Sequence, residues 1–309
     1  MDNKIQIAAV IPTFNREKTL PRAINSVLAQ EFPASEVIIV DDGSDDGTRR
    51  IVESFGAKCR YFYQENGGVS AARNRGVGEA ACDWIAFLDS DDSWVPRHLV
   101  RMAEAIEATN GEASLYFCDA MLPSEAGGLS YWVSTGFKID APFLLKRDAS
   151  AWVLMAIQPI VLQASVIKRS SYWDVGGLPR GLRTREDTLL LFKLGLRYPA
   201  CAVSGCGTMM TMDGGMCLSE EMGSRDYPYW QATLTVYREM LSFAATSRPE
   251  FRRRFLDGMS AANFSLGRLF FRDRKLFQSA KTLMLSAGTS PRTFLRCLSE
   301  SLGFVRKLR

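Results

Sequence analysis

Between residue 5 and about residue 121 the chain alternates two hydrophobic rhythms. Short runs dense in apolar, β-branched and aromatic residues predict strands: IQIAAVI (5–11), EVIIVDD (36–42), CRYFYQ (59–64), WIAFLD (84–89) and SLYFCDAM (114–121). Between them apolar residues recur at helical spacing: Leu20, Ala23, Ile24, Val27 and Leu28, then Ile51, Val52 and Phe55, then Leu99, Met102, Ala103 and Ile106. Strand and helix in strict turn predict an α/β fold with a parallel central sheet covered by helices on both faces. From about Arg225 the pattern is helical to the end, with Phe294, Leu298, Leu302 and Val305 on one face of the last segment. The longest uncharged stretch, Ala149 to Ile167, carries Gln158, Pro159 and Gln163 and reads as buried core rather than a membrane span.

Charge changes this picture at the C-terminus. The formal net charge is +4, yet residues 248–309 hold 14 Lys/Arg against 4 Asp/Glu, a net +10 that leaves residues 1–247 at −6. The 309 residues, 47% of them hydrophobic, suffice for a large core. The seven cysteines (Cys59, Cys82, Cys118, Cys201, Cys206, Cys217 and Cys297) form no CxxC pair, which fits reduced thiols and a cytoplasmic protein. The N-terminal MDNKIQIAAVIPTFN lacks the apolar region and cleavage site of a signal peptide.

In a parallel sheet, ligands bind beyond the carboxyl ends of the strands. Here those ends are PTFNR, DDGSDDGT and DSDD, three polar or acidic segments predicted to converge on one edge. Asp89, Asp91 and Asp92 fall within four positions, where full ionisation is self-repelling unless a cation compensates. Hard ions such as Mg²⁺ take oxygen ligands, one or two carboxylates with substrate phosphates completing the shell, so this turn suits a metal–diphosphate site. It is also expected to cap a helix over WVPRHLVRM with Pro96 in its first turn, although capping needs only one of the three carboxylates. NGGVS (66–70) precedes a helical pattern and could offer backbone N–H groups to phosphate, but two glycines before a helix usually mark only a turn. The single histidine, His98, is expected on a solvent-facing helix surface, which leaves histidine catalysis and histidine-ligated zinc without support.

Five segments carry a family resemblance: VIPTFNRE (10–17), IIVDDGSDDGT (38–48), NGGVSAARNRG (66–76), AFLDSDD (86–92) and GGLPRGLRTREDTLLLFKLG (176–195). Their order and spacing resemble those of the inverting family 2 glycosyltransferases, which have the GT-A fold. The resemblance implies that Thr13 and Asp42 contact the nucleotide base, Pro12 shaping that loop, and that Arg73 lies near the nucleotide diphosphate. It implies that Asp91 and Asp92 contact the ribose and the metal, with Asp89 beginning the same motif. It implies that Asp187 is the catalytic base, with Glu186 in the same acidic pair.

An inverting transfer needs one carboxylate base for the acceptor hydroxyl, while the leaving diphosphate departs as an anion that Mg²⁺ or Mn²⁺ can stabilise. Two separate acidic sites, one early and one late, match that division. Two departures from the family stand out: the segment MMTMDGGMCLS (209–219) lacks the histidine that often completes the metal shell, leaving Asp213 as the candidate oxygen ligand, and the membrane helices and QxxRW motif of processive synthases are missing. The expectation is a GT-A domain over 1–222 and a basic helical extension over 223–309. It would move one sugar from a nucleotide donor, taken as a UDP-sugar, to a glycan or lipid-linked glycan in cell-surface polysaccharide or glycoconjugate synthesis. A scaffold that binds nucleotide-sugar without turnover is the alternative that the missing histidine raises. A nucleotidyltransferase would open with a Gly-rich basic phosphate loop, unlike PTFNREKTL. The basic tail carries no nucleic-acid-binding motif; it is expected as a solvated face or as a peripheral contact with anionic membrane at its inner face. Acceptor choice is expected to depend on residues 123–171.

Overall fold

The computed structural model of the protein describes residues 5–124, 128–155, 157–182, 184–211 and 226–307. The chain divides into two units, residues 1–181 with 190–215 and residues 182–189 with 216–309.

The first unit is built on a single sheet. Its strands are β1 (Ile7–Thr13), β2 (Glu36–Asp41), β3 (Arg60–Tyr63), β4 (Trp84–Phe87), β5 (Ser93–Trp94), β6 (Leu115–Leu122), β7 (Leu129–Ser130), β8 (Phe143–Lys146), β9 (Ser165–Lys168) and β10 (Ala200–Met209). The main path runs β3-β2-β1-β4-β9-β6-β10-β5, with β7 paired to β6 and β8 to β10. Every residue of β1 and β4 is buried, which is why these strands read as unbroken apolar runs. Between strands lie α1 (Leu20–Leu28), α2 (Thr48–Ser54), α3 (Val69–Glu79) and α4 (His98–Ala108), followed by the short α5 (Tyr131–Thr135), α6 (Ser150–Val153) and α7 (Arg169–Asp174), and then α8 (Glu186–Arg197). Helix α3 approaches β1 so closely that a Cβ on Gly76 would lie 2.3 Å from Val10 Cγ1.

Pairing is parallel from β3 through β4, as the alternation predicts, and parallel again between β6 and β10. The strictly parallel expectation fails at β9, which inserts antiparallel to both β4 and β6. Strand β9 comes from the uncharged stretch 149–167, whose residues Trp152, Val153, Ile160, Leu162, Val166 and Ile167 are buried as core. Edge-on packing of Phe117, Trp132, Phe137 and Trp152 fills the space beside it.

Two local expectations are corrected. The acidic turn does not cap α4: β5 follows the turn, and the helix starts at His98 with Arg97 in the N-cap position and no side-chain cap. His98 is fully buried rather than on a solvent face. Its ring packs on Trp94 at 4.9 Å between centroids, and β10 covers it so tightly that a Cβ on Gly207 would lie 2.4 Å from Nδ1.

In the second unit, α9 (Tyr227–Ser247) starts at Asp226, whose carboxylate accepts from Tyr229 N at 3.1 Å. It is followed by α10 (Arg252–Arg272), α11 (Leu276–Thr289) and α12 (Pro291–Lys307). Leu234, Ala262 and Leu266 form a small core, and Phe264 meets Phe294 edge-on at 5.7 Å. Helices α10 and α11 meet through small residues: Ser286 Oγ donates to Ser260 O at 2.7 Å, Ser260 Oγ to Ser286 O at 2.9 Å, and Ser279 Oγ to Gly267 O at 2.9 Å. Among the described residues no helix is long and apolar enough to cross a membrane. The described cysteines are all unpaired, and Cys217 lies outside the described residues.

Candidate active site

Parallel pairing of β1 with β2 and β4 brings their carboxyl ends to one sheet edge, so Thr13, Asp41–Asp42 and the turn after Phe87 become neighbours. The PTFNRE and DDGSDDGT loops are laced together there. Asn15 N donates to Ser44 Oγ, Asp45 N to Asn15 Oδ1 and Gly47 N to Glu17 Oε2, each at 2.9 Å. Gly43 holds φ +93 with its would-be Cβ 3.0 Å from Asn66 N, a place no side chain fits.

Asp42 is buried and gripped. Its Oδ1 accepts from Gln64 Nε2 at 2.6 Å and Gly67 N at 3.0 Å, its Oδ2 from Gly68 N at 2.8 Å, and its own N–H donates to Thr13 O at 2.8 Å. The glycine N–H groups of NGGVS therefore hold a carboxylate at the start of α3 rather than a phosphate. Beside it the Thr13 hydroxyl is buried without a hydrogen-bond partner among the described residues, next to Pro12 in β1.

The three carboxylates of the acidic turn have different surroundings. Asp89 is tied on both oxygens, by Arg73 Nη2 at 2.6 Å and by Gln163 Nε2. Asp91 faces Arg16 at 3.4 Å, while its backbone carbonyl accepts from Arg22 and from the Thr211 hydroxyl. Asp92 accepts from Thr211 N at 3.1 Å and is buried. Burial, then the charges of Asp89 and Asp91, push the Asp92 carboxyl up to about 8; burial and Asp89 also raise Asp91, with Arg16 opposing. Arg22 Nη2 additionally donates to Thr211 Oγ1 at 2.6 Å, so the end of β10 is fastened to the acidic turn.

Among the described residues no group of three or more His, Cys, Asp or Glu side chains is gathered as a complete metal shell. Asp91 and Asp92 nevertheless fit an ion that takes its other ligands from phosphate: two hard-oxygen donors adjacent in sequence, one of them held against its own ionisation by burial and by its acidic neighbours. Asp89, engaged on both oxygens, orients Arg73 and Gln163. Asp213 lies outside the described residues.

Glu186 and Asp187 open α8, in the segment that clusters with the second unit. Glu186 is buried, and Asp187 Oδ1 accepts from Thr188 N at 2.6 Å. Arg185 just before them holds φ +65, donates to Thr233 Oγ1 at 2.8 Å and lies over the Tyr229 ring at 5.5 Å. Sequence reasoning passed over Arg16, Arg22, Gln163 and Thr211. The two arginines had a signal, cations following the strand end that faces a triple acid; Gln163 and Thr211 had none.

The family model described as Glycosyl transferase family 2 matches residues 8–154. An uncharacterized glycosyltransferase of Nostoc sp. is 36% identical over 171 residues, 53% of this chain and 53% of that protein. One of Rickettsia conorii is 28% identical over 191 residues, 61% of this chain and 31% of its own. The chain thus spans from about a third to about half the length of these curated relatives. Among solved structures, S. aureus TarS 1-349 matches with a TM-score of 0.64 at 20% identity, covering 94% of this chain and 82% of that one. The mannosyltransferase PcManGT from Pyrobaculum calidifontis, in complex with GDP-Man and Mn²⁺, matches with a TM-score of 0.54 at 16% identity, covering 97% and 80%. At these identities the likeness is one of fold, the GT-A arrangement expected from the motifs.

Proposed function

Since the Glycosyl transferase family 2 model matches residues 8–154, we propose that the chain belongs to that family and is an inverting glycosyltransferase moving one sugar from a nucleotide-diphosphate donor to a hydroxyl of a glycan or lipid-linked glycan. The observation that carries the proposal is the acidic turn: Arg16 faces Asp91, Arg22 holds the Asp91 carbonyl and Arg73 pairs with Asp89, while burial and then the charges of Asp89 and Asp91 push the Asp92 carboxyl up to about 8. Asp91 and Asp92 would hold Mg²⁺ or Mn²⁺, which when bound offsets the diphosphate charge. Thr13 and Asp42 receive the base, and the arginines meet the diphosphate. Asp187 accepts the proton of the acceptor hydroxyl, with Glu186 beside it. The donor is taken as a UDP-sugar, since TarS was solved with UDP-GlcNAc, although PcManGT carries GDP-Man. Cell-surface polysaccharide or glycoconjugate synthesis is the setting, at the inner face of the membrane and held there by the cationic C-terminal helices.

The test is a thermal-shift and calorimetry panel of UDP, GDP, CDP and dTDP, each with Mn²⁺ and with EDTA, followed by transfer assays with the matching sugar donors. Metal-dependent binding of one nucleotide is expected, stabilising by about 2.7 kcal/mol at a hundredfold excess over Kd. Asp92→Ala should lose that binding. Asp187→Asn should keep it while transfer falls by about 10²–10⁴. Nucleotide binding with no transfer by the unaltered chain would make it a scaffold instead.

A further inference from the structure

Helix α11 is built inside out. The side chains it buries fully are Ser279 and Ser286, seven residues apart and hydrogen-bonded to α10, with Leu283 half-buried against Gly267 between them, whereas Phe277 is 80% exposed and Met284 73% exposed. At about 100° per residue, Phe277, Ala280, Met284 and Gly288 fall on the side of the helix away from the two serines. With Leu285 they form an open, largely apolar helix face that also includes Lys281 and Thr289. Leu276 and, at the end of α10, Phe271 add further exposed apolar surface. An aqueous helix that packs serine inward and displays phenylalanine and methionine outward has its polarity reversed, which points to a non-aqueous neighbour.

Charge says which one. Within residues 268–281 the chain carries Arg268, Arg272, Arg274, Lys275 and Lys281 against a single acid, Asp273; all five cations are exposed, and Lys281 lies on the apolar face itself. The surrounding segment 248–309 totals +10. A second copy would bring the same cations against themselves, whereas an anionic bilayer complements both features: apolar side chains enter the acyl boundary and lysine and arginine meet the headgroups. We infer that the exposed face of α11, from Leu276 to Gly288, is a membrane-docking surface that inserts into the interface of an anionic bilayer without crossing it. This deepens the placement at the membrane and rests on that part of the proposed function alone, not on the transfer chemistry.

The experiment is co-sedimentation of the full chain with vesicles of phosphatidylcholine alone and of phosphatidylcholine mixed with phosphatidylglycerol, at low and high salt, with UDP–Mn²⁺ binding measured in parallel. Pelleting with the anionic vesicles is expected, weakened by salt. Phe277→Asp combined with Met284→Asp should reduce it by about tenfold or more, as should Arg274→Glu with Lys281→Glu. Both variants should keep the wild-type melting profile and nucleotide binding, because all four side chains are exposed. Failure to pellet, or pelleting that the apolar variant leaves unchanged, overturns the inference while leaving the nucleotide result to decide the enzyme reading. Lipid-independent self-association abolished by Phe277→Asp and Met284→Asp overturns it in favour of a second copy, and retention on polyglutamate without vesicle binding in favour of an acidic protein.

Discussion

Asp92 shows how a residue's surroundings, more than its type, set its chemistry. Its folded-state value near 8 lies above the ordinary carboxylate value of 3.8, so the folded, metal-free chain holds the proton more tightly than the unfolded chain. The stability this contributes is complete below about pH 4 and is lost as pH rises through about 8. His98 runs the other way: burial, then Arg101, lowers it to about 3, so its contribution is present above about 6.5 and is lost on acidification. Comparing wild type with Asp92→Asn in EDTA cancels the histidine. Between about pH 5 and pH 8 the wild-type melting temperature should fall relative to the variant, and Mn²⁺ should restore it. Parallel pH profiles would show that Asp92 titrates as an ordinary carboxylate. Asp91 and Asp92 were legible in the sequence because three acids in four positions need an explanation wherever they lie. His98 was misread because the strand that covers it lies far downstream, and helical spacing around His98 carries no trace of Gly207.

Elements were legible where burial is uniform. β1, β2 and β4 read directly because a strand covered on both faces has no polar positions to interrupt it. β9 did not, since four residues inside a long apolar stretch carry no signal for strand direction or partner. Nor did the inverted α11: its serines look solvent-facing until α10 is seen to bond them. Helix α3 offers a test within one element. Its hydrophobic pattern is weak, and its seat on β1 depends on Gly76, so Gly76→Ala should destabilise by about 1–3 kcal/mol through the collision with Val10. Gly78, two residues on in the same helix, has open space where its Cβ would go, and Gly78→Ala should stabilise by up to about 1 kcal/mol. Urea denaturation of both variants reads the difference. Equal effects would mean that helix propensity, not the close approach, governs the position.

At the scale of the whole molecule, the GT-A fold was legible from motifs in order, four of which lie within the stretch that the Glycosyl transferase family 2 model matches, because a fixed series of strand ends presents its residues to one sheet edge. Net charge was legible too, but it misleads about the donor: residues 1–247 total −6, and an anionic nucleotide is nevertheless expected there. On the proposed function attraction would be local, through Arg16, Arg22 and Arg73 about the acidic turn, rather than a field of the whole protein. If Asp42 faces the base, as proposed, the grip on it has its own consequence for which nucleotide the molecule would select. Its two oxygens offer about four acceptor positions, and three are filled by Gln64, Gly67 and Gly68. What remains is one fixed acceptor that cannot turn away from a mismatched partner. Uracil, thymine and guanine bring a ring imino hydrogen to such an acceptor; cytosine and adenine bring a bare ring nitrogen whose lone pair opposes it. In the nucleotide panel CDP should therefore bind at least about tenfold more weakly than the favoured base, and equal affinities would mean that Asp42 does not face the base. A buried carboxylate that looks like loop architecture would then be the molecule's filter on the cell's nucleotide pool, reading the presence of a single hydrogen.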